Sequence, residues 1–338
     1  MFQTCLLKTL EKTILDLNQI IGIHGKNIHR KFMSDNNILV LGANGMLGKM
    51  VSLYLKSNNE LNVSVTSRSK NSFIEENFEK KYFNFQLSDN YYDNLKKIVN
   101  NKVDFIVNCI GVIKPKIDEN DPVSIQETIL TNSYFPIDLQ NLAFENQIKY
   151  IQIGTDCVFS GNDGSYTETS FMDATDLYGK SKIVGEIEGT NKSLIRSSII
   201  GPEQSKGFSL MNWFLNNTQQ EISGYKNHLW NGVTTLNFAK VVEGFILSSE
   251  FNFKTQHLIP KNTITKANLL EEFKKHFNKD LGIKHIDAEE IIDRTLLTNN
   301  EQVNEKLWKC AGYSSIPTVE ENIEELANSE ITNKIMKQ

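Results

Sequence analysis

A tyrosine and a lysine four residues apart, Tyr178 and Lys182, form a pair whose types and spacing could do chemistry. At the start of a predicted helix, this spacing places both side chains on one face. A tyrosine with a pKa of about 10 is a poor acid or base at neutral pH. A nearby ammonium group favours the phenolate and lowers that pKa. The pair therefore predicts a tyrosine that exchanges a proton with the help of a lysine.

A glycine-rich turn with the spacing GxxGxxG lies between the first predicted strand and a helix. Glycines at such a turn let backbone N–H groups and the helix N-terminus approach a pyrophosphate. The turn predicts dinucleotide binding, and a purely structural turn is the alternative. The predicted binding residues of the turn are Gly42, Asn44, Gly45, Met46, Leu47 and Gly48.

The end of the second predicted strand bears on the choice of cofactor. It reads Thr66-Ser67-Arg68, without an Asp or Glu. An acidic side chain there would bond the ribose 2′-hydroxyl, whereas a basic one accepts a 2′-phosphate. Arg68 therefore favours NADPH over NADH, unless it is only a solvated surface charge. After the third predicted strand, Gln86 and Leu87 are predicted to contact the adenine. After the fourth, the residues predicted to contact the nicotinamide ribose are Cys109, Ile110 and Gly111.

Short apolar runs alternate with helical stretches from residue 36 to about residue 200. Strands separated by crossover helices at this spacing build a parallel sheet that is covered on both faces. We therefore expect an α/β fold, a doubly wound parallel sheet of the Rossmann type with a smaller C-terminal lobe. The predicted strands are 37–41, 62–67, 81–85, 104–108, 150–153 and 193–197, and the predicted helices of this part are 46–57, 91–99, 122–146 and 177–188.

Three regions are expected along the chain. Residues 1–33 carry an apolar stripe at helical spacing and are predicted to be a helical appendage on the domain surface, or else an over-long gene start. Residues 34–200 are the predicted NAD(P)-binding Rossmann domain. Residues 201–338 are predicted to form mainly a substrate-binding lobe, with a strand near 255–260 that returns to the sheet.

Composition excludes several classes of function. The 338 residues include 36 Lys and Arg against 41 Asp and Glu, a net charge of −5, so strong binding to nucleic acid or a membrane surface has no electrostatic driver. No apolar run reaches the roughly 18 residues of a membrane span. Four cysteines without CxxC spacing and six scattered histidines indicate neither a disulfide framework nor a metal site. A cytoplasmic location with reduced thiols is expected.

The segment from Gly154 to Glu186 contains the motifs TDCVFSG, YTE and YGKSKIVGE, in this order. It resembles the extended short-chain dehydrogenase/reductases and, more narrowly, the dTDP-4-dehydrorhamnose reductase branch. The resemblance covers residues 36 to about 260. It implies a Rossmann fold and an NAD(P)-dependent reductase that acts on the C4 keto group of a nucleotide-linked 4-keto-6-deoxy sugar.

The resemblance also assigns roles to individual residues. Tyr178 is the implied general acid, while Lys182 lowers its pKa and holds the nicotinamide ribose. Thr155 would hydrogen-bond the substrate carbonyl, and Asn132 matches an asparagine that positions a water in the proton relay. A further three residues would face the sugar, with packing at the sheet edge as the alternative for the last two: Asp156, Val158 and Phe159.

Several alternatives stay open at the level of sequence. The branch usually carries a D-Q-x-G-x-P-T stretch near the nucleotide, and this chain has a different sequence at 224–235. The 108–115 and 156–160 segments look closer to reductases of UDP-linked sugars, including N-acetylated ones. An epimerase or dehydratase on the same fold is an alternative, and so is a non-catalytic regulatory subunit like the β subunit of methionine adenosyltransferase. A homodimer also stays open.

Overall fold

The computed structural model describes residues 36–100, 102–203, 208–248 and 253–337. The predicted appendage at residues 1–33 lies outside these ranges. The strands are β1 (Asn36–Leu41), β2 (Leu61–Ser67), β3 (Tyr82–Asn84), β4 (Phe105–Asn108), β5 (Lys149–Gly154), β6 (Lys192–Arg196), β7 (Ile199–Ile200), β8 (Glu221–Tyr225), β9 (Leu229–Trp230), β10 (Val233–Thr234), β11 (Thr255–His257), β12 (Ile264–Thr265) and β13 (Gly282–Ile286). The helices are α1 (Met46–Lys56), α2 (Ser72–Phe78), α3 (Tyr91–Val99), α4 (Pro122–Ile129), α5 (Phe135–Glu145), α6 (Leu177–Gly185), α7 (Leu210–Leu215), α8 (Thr235–Leu247), α9 (Lys266–His276), α10 (Glu301–Cys310), α11 (Val319–Asn328) and α12 (Glu330–Met336).

The centre of the molecule is a seven-stranded parallel sheet with the order β11-β6-β5-β4-β1-β2-β3. The order reverses beside β1, where β2 lies on one side and β4 on the other. Ligands of doubly wound folds bind at such a reversal, outside the carboxyl ends of the strands. The expected Rossmann-type fold is confirmed, and the glycine turn after β1 lies at that point.

Alternation along β1 explains why the sheet is covered on both faces. Ile38 and Val40 belong to one buried apolar cluster, whereas Leu39 and Leu41 belong to another. Side chains in a strand point alternately to opposite faces, so a fully apolar strand supplies two separate cores. Helices α1 and α8 contribute to the first core, and α3 and α5 contribute to the second.

The expected single helix over 122–146 is interrupted. A π-helical turn, Leu130–Tyr134, separates α4 from α5. The widened turn carries the backbone oxygen of Asn132 to within 2.1 Å of the point where a Cβ on Gly185 would stand. Only a glycine in α6 permits this approach. The prediction of a regular α-helix is therefore wrong over these five residues. The widened turn occurs where the chain packs closely against α6.

The chain beyond β6 adds one strand to the sheet and builds small pairs outside it. Strand β11 pairs with β6 in parallel. The pairs outside the sheet are β7 with β10, β8 with β13, and β9 with β12. Residues from Asn37 onward form one compact unit. Within that unit, the division into a cofactor domain and a substrate lobe at residue 200 stays a prediction.

Candidate active site

The glycine turn is shaped for close approach of a ligand to the backbone. Gly42 has a φ of +81°, a conformation that side chains other than glycine rarely adopt. A Cβ on Gly48 would stand 2.2 Å from the carbonyl oxygen of Gly42, so only glycine lets α1 pack this closely on β1. Helix α1 begins after Gly45, which is exposed and gives no side-chain cap. Its first N–H groups are therefore free of side-chain competition for an anion.

The end of β4 lies directly against this turn. A Cβ on Gly42 would meet Ile110 Cγ1 at 2.8 Å and the carbonyl carbon of Cys109 at 3.2 Å. The Cys109 amide donates to the Leu41 carbonyl over 3.0 Å, which extends the β1–β4 pairing by one residue. Burial raises the pKa of the Cys109 thiol to about 12, so the thiol stays protonated. Gly111, which follows, is exposed.

The segment that follows β2, which includes Arg68, lies against Asn44 of the glycine turn. The Asn44 amide donates to the Ser69 carbonyl over 3.2 Å, and its Oδ1 is buried without a hydrogen-bond partner. Arg68 is exposed and forms no ion pair within the described ranges. Beyond β3, Gln86 is exposed and Leu87 is half-buried. An exposed guanidinium and an unsatisfied amide oxygen at this edge leave groups available for a polar ligand.

Thr155 lies at the carboxyl end of β5, where the chain makes a short 3₁₀ turn. Its hydroxyl accepts a hydrogen bond from the Cys157 amide at 3.2 Å and lies 3.2 Å from Asp156 Oδ1. Its side chain also lies close enough to Tyr178 to lower the pKa of that phenol, against the larger effect of burial. The structure therefore brings together two residues that the sequence separates by more than twenty positions.

Helix α6 carries Tyr178 in its first turn and is fixed by a cap. The Asp176 carboxylate accepts a hydrogen bond from the Gly179 amide at 2.8 Å and pairs with Lys114 at 2.9 Å. Burial raises the pKa of Tyr178 far above its ordinary value, and the neighbouring Cys157 adds to this shift. The expected lowering of the tyrosine pKa by Lys182 is therefore not what the structure gives, because burial penalises the phenolate. Tyr178 is a protonated phenol at neutral pH.

Lys182 lies one turn further along α6, on the face that carries Tyr178. Its Nζ donates to the carbonyl of Ile153 over 3.4 Å, at the end of β5. Burial lowers the pKa of Lys182, and the Glu186 carboxylate opposes that shift. The ammonium group is therefore held between α6 and the strand that leads to Thr155.

The Asn132 side chain is held by hydrogen bonds to neighbouring protein groups. Its Oδ1 accepts from the Val112 amide at 2.9 Å, and its Nδ2 donates to the Val112 carbonyl and to Ser181 Oγ at 3.0 and 3.1 Å. Both amide hydrogens thus have protein partners, so the side chain ties the loop after β4 to α6. Its role in a proton relay stays a prediction.

Two of the three predicted sugar-facing residues lie in the core. Val158 and Phe159 have no exposed surface, and Phe159 stacks on Tyr166 with ring centroids 4.3 Å apart. The Arg196 guanidinium also contacts this cluster, 5.4 Å from the Phe159 ring centroid. Val158 and Phe159 therefore pack in the core, which was the stated alternative to facing the sugar. Asp156 is half-buried, and its facing of the sugar stays a prediction.

Comparison with known families identifies the cofactor half of this site. Residues 38–192 match the model of the NAD dependent epimerase/dehydratase family. We call this matched segment the epimerase/dehydratase domain. The expected recognition is confirmed at this level. This epimerase/dehydratase domain includes the glycine turn, Thr155, Tyr178 and Lys182.

Solved structures share the architecture beyond the epimerase/dehydratase domain. A dTDP-4-dehydrorhamnose reductase from Bacillus anthracis str. Ames, in complex with NADP, has a TM-score of 0.67 at 17% identity, over 87% of this chain and 99% of that chain. The corresponding reductase from Clostridium acetobutylicum has a TM-score of 0.65 at 20% identity, over 86% and 98%. A UDP-glucuronic acid 4-epimerase from Bacillus cereus, in complex with UDP-glucuronic acid and NAD, has a TM-score of 0.66 at 15% identity, over 88% and 99%. At these identities the likeness shows the fold. A comparison with curated proteins gave no match.

Two cations from outside the epimerase/dehydratase domain lie near residues 155–159, which we call the catalytic loop of the candidate site, and neither was predicted. Arg294 donates from Nε to the Phe159 carbonyl over 2.9 Å. Lys266 begins α9, and its Nζ lies 5.5 Å from the centroid of the Trp230 ring. Burial lowers the pKa of Lys266 to about 8, while Asp156 opposes that shift. No motif marks these residues, because only the folding of the C-terminal segment brings them near residues 156–159.

Metal sites and membrane-spanning helices are absent from the described part of the chain. Within the ranges that the structure describes, no group of three or more His, Cys, Asp or Glu side chains is arranged to hold a metal ion. No helix in these ranges is long and apolar enough to cross a membrane.

Proposed function

We propose that this protein uses NADPH to reduce the C4 keto group of a nucleotide-linked 4-keto-6-deoxy sugar. One observation carries the proposal: Tyr178, a phenol that keeps its proton, lies close enough to Thr155, at the carboxyl edge of the sheet, for the threonine side chain to influence the pKa of the tyrosine. A reductase needs a proton donor at the oxygen that becomes an alkoxide, and a protonated tyrosine meets that need. The matching epimerase/dehydratase domain supports a nicotinamide dinucleotide as cofactor.

The residues at the turn fit such a cofactor. Gly42, Gly45 and the uncapped start of α1 would hold the pyrophosphate through their backbone N–H groups. The turn keeps this shape only with glycine, because a side chain on Gly42 or Gly48 would clash with backbone there. Arg68 would contact a 2′-phosphate, which favours NADPH. Lys182 would contact the nicotinamide ribose. When bound, the cofactor supplies the hydride.

The protein's own residues would handle the proton. Thr155 would donate a hydrogen bond to the sugar carbonyl and stabilise negative charge on its oxygen. Tyr178 would donate its phenolic proton to that oxygen and so complete the alcohol. The burial that keeps Tyr178 protonated before the reaction also makes its phenolate a strong base afterwards, so the site must be reprotonated before the next turnover.

Charge near the catalytic loop favours a nucleotide diphosphate. Lys266 and Arg294 lie close enough to Asp156 and Cys157 to alter the titration of groups there. Neither forms an ion pair among the described residues, so both are available to an anionic substrate. Several structures that share this fold are dTDP-4-dehydrorhamnose reductases, which supports a nucleotide sugar as substrate. A UDP-linked or N-acetylated sugar is the narrower variant of the proposal.

The test is NADPH oxidation with dTDP- and UDP-linked 4-keto-6-deoxy sugars, including N-acetylated ones, with the product identified by NMR. The proposal expects stoichiometric NADPH consumption and a C4 alcohol with at least one of them. A second outcome is suggested by the epimerase structures that share the fold. An epimerase would invert the sugar without net NADPH consumption. A third outcome is tight NADPH binding without turnover, together with co-purification with another enzyme. That outcome would reject both the reductase and the epimerase and would favour a regulatory subunit.

A further inference from the structure

A buried ion pair involves Glu186, the residue four positions after Lys182. Glu186 follows the end of α6, and its Oε2 pairs with Arg196 Nη2 on β6. The two side chains are only 1% and 3% exposed. A buried pair of this kind often adds little to stability, because removing two charges from water is costly. Its position therefore invites a functional explanation.

The second oxygen of this carboxylate has no hydrogen-bond partner. Glu186 Oε1 is buried and unpaired, and it lies 3.1 Å from the point where a Cβ on Gly154 would stand. Lys182 Nζ donates to the carbonyl of Ile153, the residue before Gly154. The free oxygen and the ammonium group thus converge on two consecutive residues of β5. Thr155 is the next residue along the chain.

The charges around Glu186 come from several elements. On α6, Tyr178 and Lys182 both titrate under its influence. On β6, Arg196 pairs with it and Lys192 is affected by its charge. One carboxylate thus faces three cations.

Two further titratable groups lie behind Arg196. His257 on β11 contacts Arg196 Nη1 through Nε2 at 2.7 Å, and its backbone amide donates to Glu168 at 2.8 Å. His257 Nδ1 lies 2.7 Å from the Leu297 carbonyl and so donates to it, which leaves Nε2 as the acceptor for Arg196. The Arg196 guanidinium is thereby fixed through both terminal nitrogens, Nη1 by His257 and Nη2 by Glu186.

We propose that Glu186 is a positioning residue that keeps the Lys182 ammonium charged and directed at the end of β5, while Arg196 anchors its other oxygen. The proposal rests on the proposed function in one respect, that Lys182 holds the cofactor. Burial lowers the pKa of Lys182 and the Glu186 carboxylate raises it, which agrees with this role. Without the carboxylate, Lys182 would lose its proton at a lower pH.

The experiment compares Glu186→Gln, Glu186→Asp and the wild type between pH 7 and 10.5. Trace acetylation with acetic anhydride, followed by mass spectrometry, reports the protonation of Lys182 without cofactor or sugar. NADPH affinity, from fluorescence titration, and kcat/KM are measured over the same range. We expect Glu186→Gln to shift the Lys182 titration and the alkaline limb of NADPH binding to lower pH by about one unit. Glu186→Asp keeps the charge and should stay near the wild type.

Glu188→Gln is the matched control. Glu188 lies two positions along the chain and forms an ion pair with Lys254, but both of these side chains are more than half exposed. It should leave every profile unchanged. A purely structural role for Glu186 predicts instead that the Asp and Gln variants lose stability alike and titrate alike, and that result would overturn the proposal.

A further variant covers the case in which Glu186→Gln fails to fold because Arg196 is left unpaired. Glu186→Gln/Arg196→Met removes both buried charges, a replacement that folded proteins often tolerate. The same shift of the Lys182 titration to lower pH is expected, and an unchanged titration would refute the inference. A shifted Lys182 titration in a protein that reduces no sugar would leave the inference standing and reject the proposed function alone.

Discussion

At the scale of single residues, the proposed chemistry rests on Tyr178 and Thr155. The tyrosine keeps its proton, because desolvation raises its pKa, and it lies close enough to the threonine for that side chain to influence its pKa. Tyr178→Phe keeps the aromatic ring, so removing the hydroxyl separates proton transfer from the loss of the side chain. The same scale applies to Arg68, an exposed residue just after β2 that we propose contacts the adenosine ribose phosphate of the cofactor.

Tyr178→Phe should lower turnover by about 10²- to 10⁴-fold, the usual cost of losing a general acid. NADPH affinity and the urea unfolding midpoint should change little, because the ring remains. Steady-state kinetics, fluorescence titration and urea unfolding measure the three quantities. Tyr225→Phe, on β8, is the control. Wild-type turnover in the Tyr178→Phe variant would remove Tyr178 from the mechanism.

Arg68→Ala should weaken NADPH binding and leave NADH binding unchanged. A charge-assisted contact to a phosphate contributes roughly 1.5–3 kcal/mol, which corresponds to a loss of about 10- to 150-fold in affinity. Fluorescence titration of both cofactors against the variant and the wild type checks this. Lys80→Ala, another exposed cation, controls for net charge. Equal affinities of the wild type for NADPH and NADH would contradict the prediction.

At the scale of elements, the proposed cofactor site depends on the junction between β1 and α1. The helix approaches the strand so closely that a Cβ on Gly48 would stand 2.2 Å from the Gly42 carbonyl oxygen. Backbone cannot move aside as a flexible side chain can. Any residue larger than glycine must therefore displace the start of α1, and with it the N–H groups that would face a pyrophosphate.

Gly48→Ala should destabilise the fold by about 1–3 kcal/mol, as overpacking usually does, and weaken NADPH binding at least tenfold. Urea unfolding and fluorescence titration measure the two effects. Gly282→Ala is the control, because the nearest atom to its Cβ would be Glu221 Cγ at 3.3 Å, on a flexible side chain that can give way. If Gly48→Ala bound NADPH like the wild type, the close approach of α1 to β1 would have no part in binding.

At the scale of the whole molecule, His257 joins the sheet to the C-terminal segment. It contacts Arg196 on β6, donates to the Leu297 carbonyl, and is fully buried. Burial lowers its pKa to about 4, and the neighbouring Arg196 adds to this effect. The folded state therefore holds His257 neutral, whereas the unfolded chain takes up a proton below about pH 6.5.

Burial of neutral His257 makes the folded state less stable in acid. Stability associated with the neutral form is complete above about pH 6.5 and is lost as the pH falls toward 4, with a slope of up to about 1.4 kcal/mol per pH unit. His257→Gln should be less stable than the wild type at pH 7 but should lose less stability between pH 6.5 and 4. Urea unfolding across this range measures both, and the exposed His285→Gln is the control. Parallel profiles for wild type and His257→Gln would contradict the buried neutral form.

Local spacing determined much of this protein. The strand, glycine turn and helix at residues 37–56, the pair Tyr178 and Lys182, and the parallel α/β architecture all follow from patterns within a few residues of each other. These patterns are readable because backbone conformation and strand alternation depend mainly on near neighbours.

The tertiary structure decided what depends on contacts between distant segments. It buried Val158 and Phe159, inserted a π turn at Asn132, and raised the pKa of Tyr178 where the spacing with Lys182 predicted a lower one. It also brought Lys266 and Arg294 to the catalytic loop from more than a hundred residues away. Burial and charge at a site are summed over every segment that surrounds it, so spacing along one segment cannot reveal them.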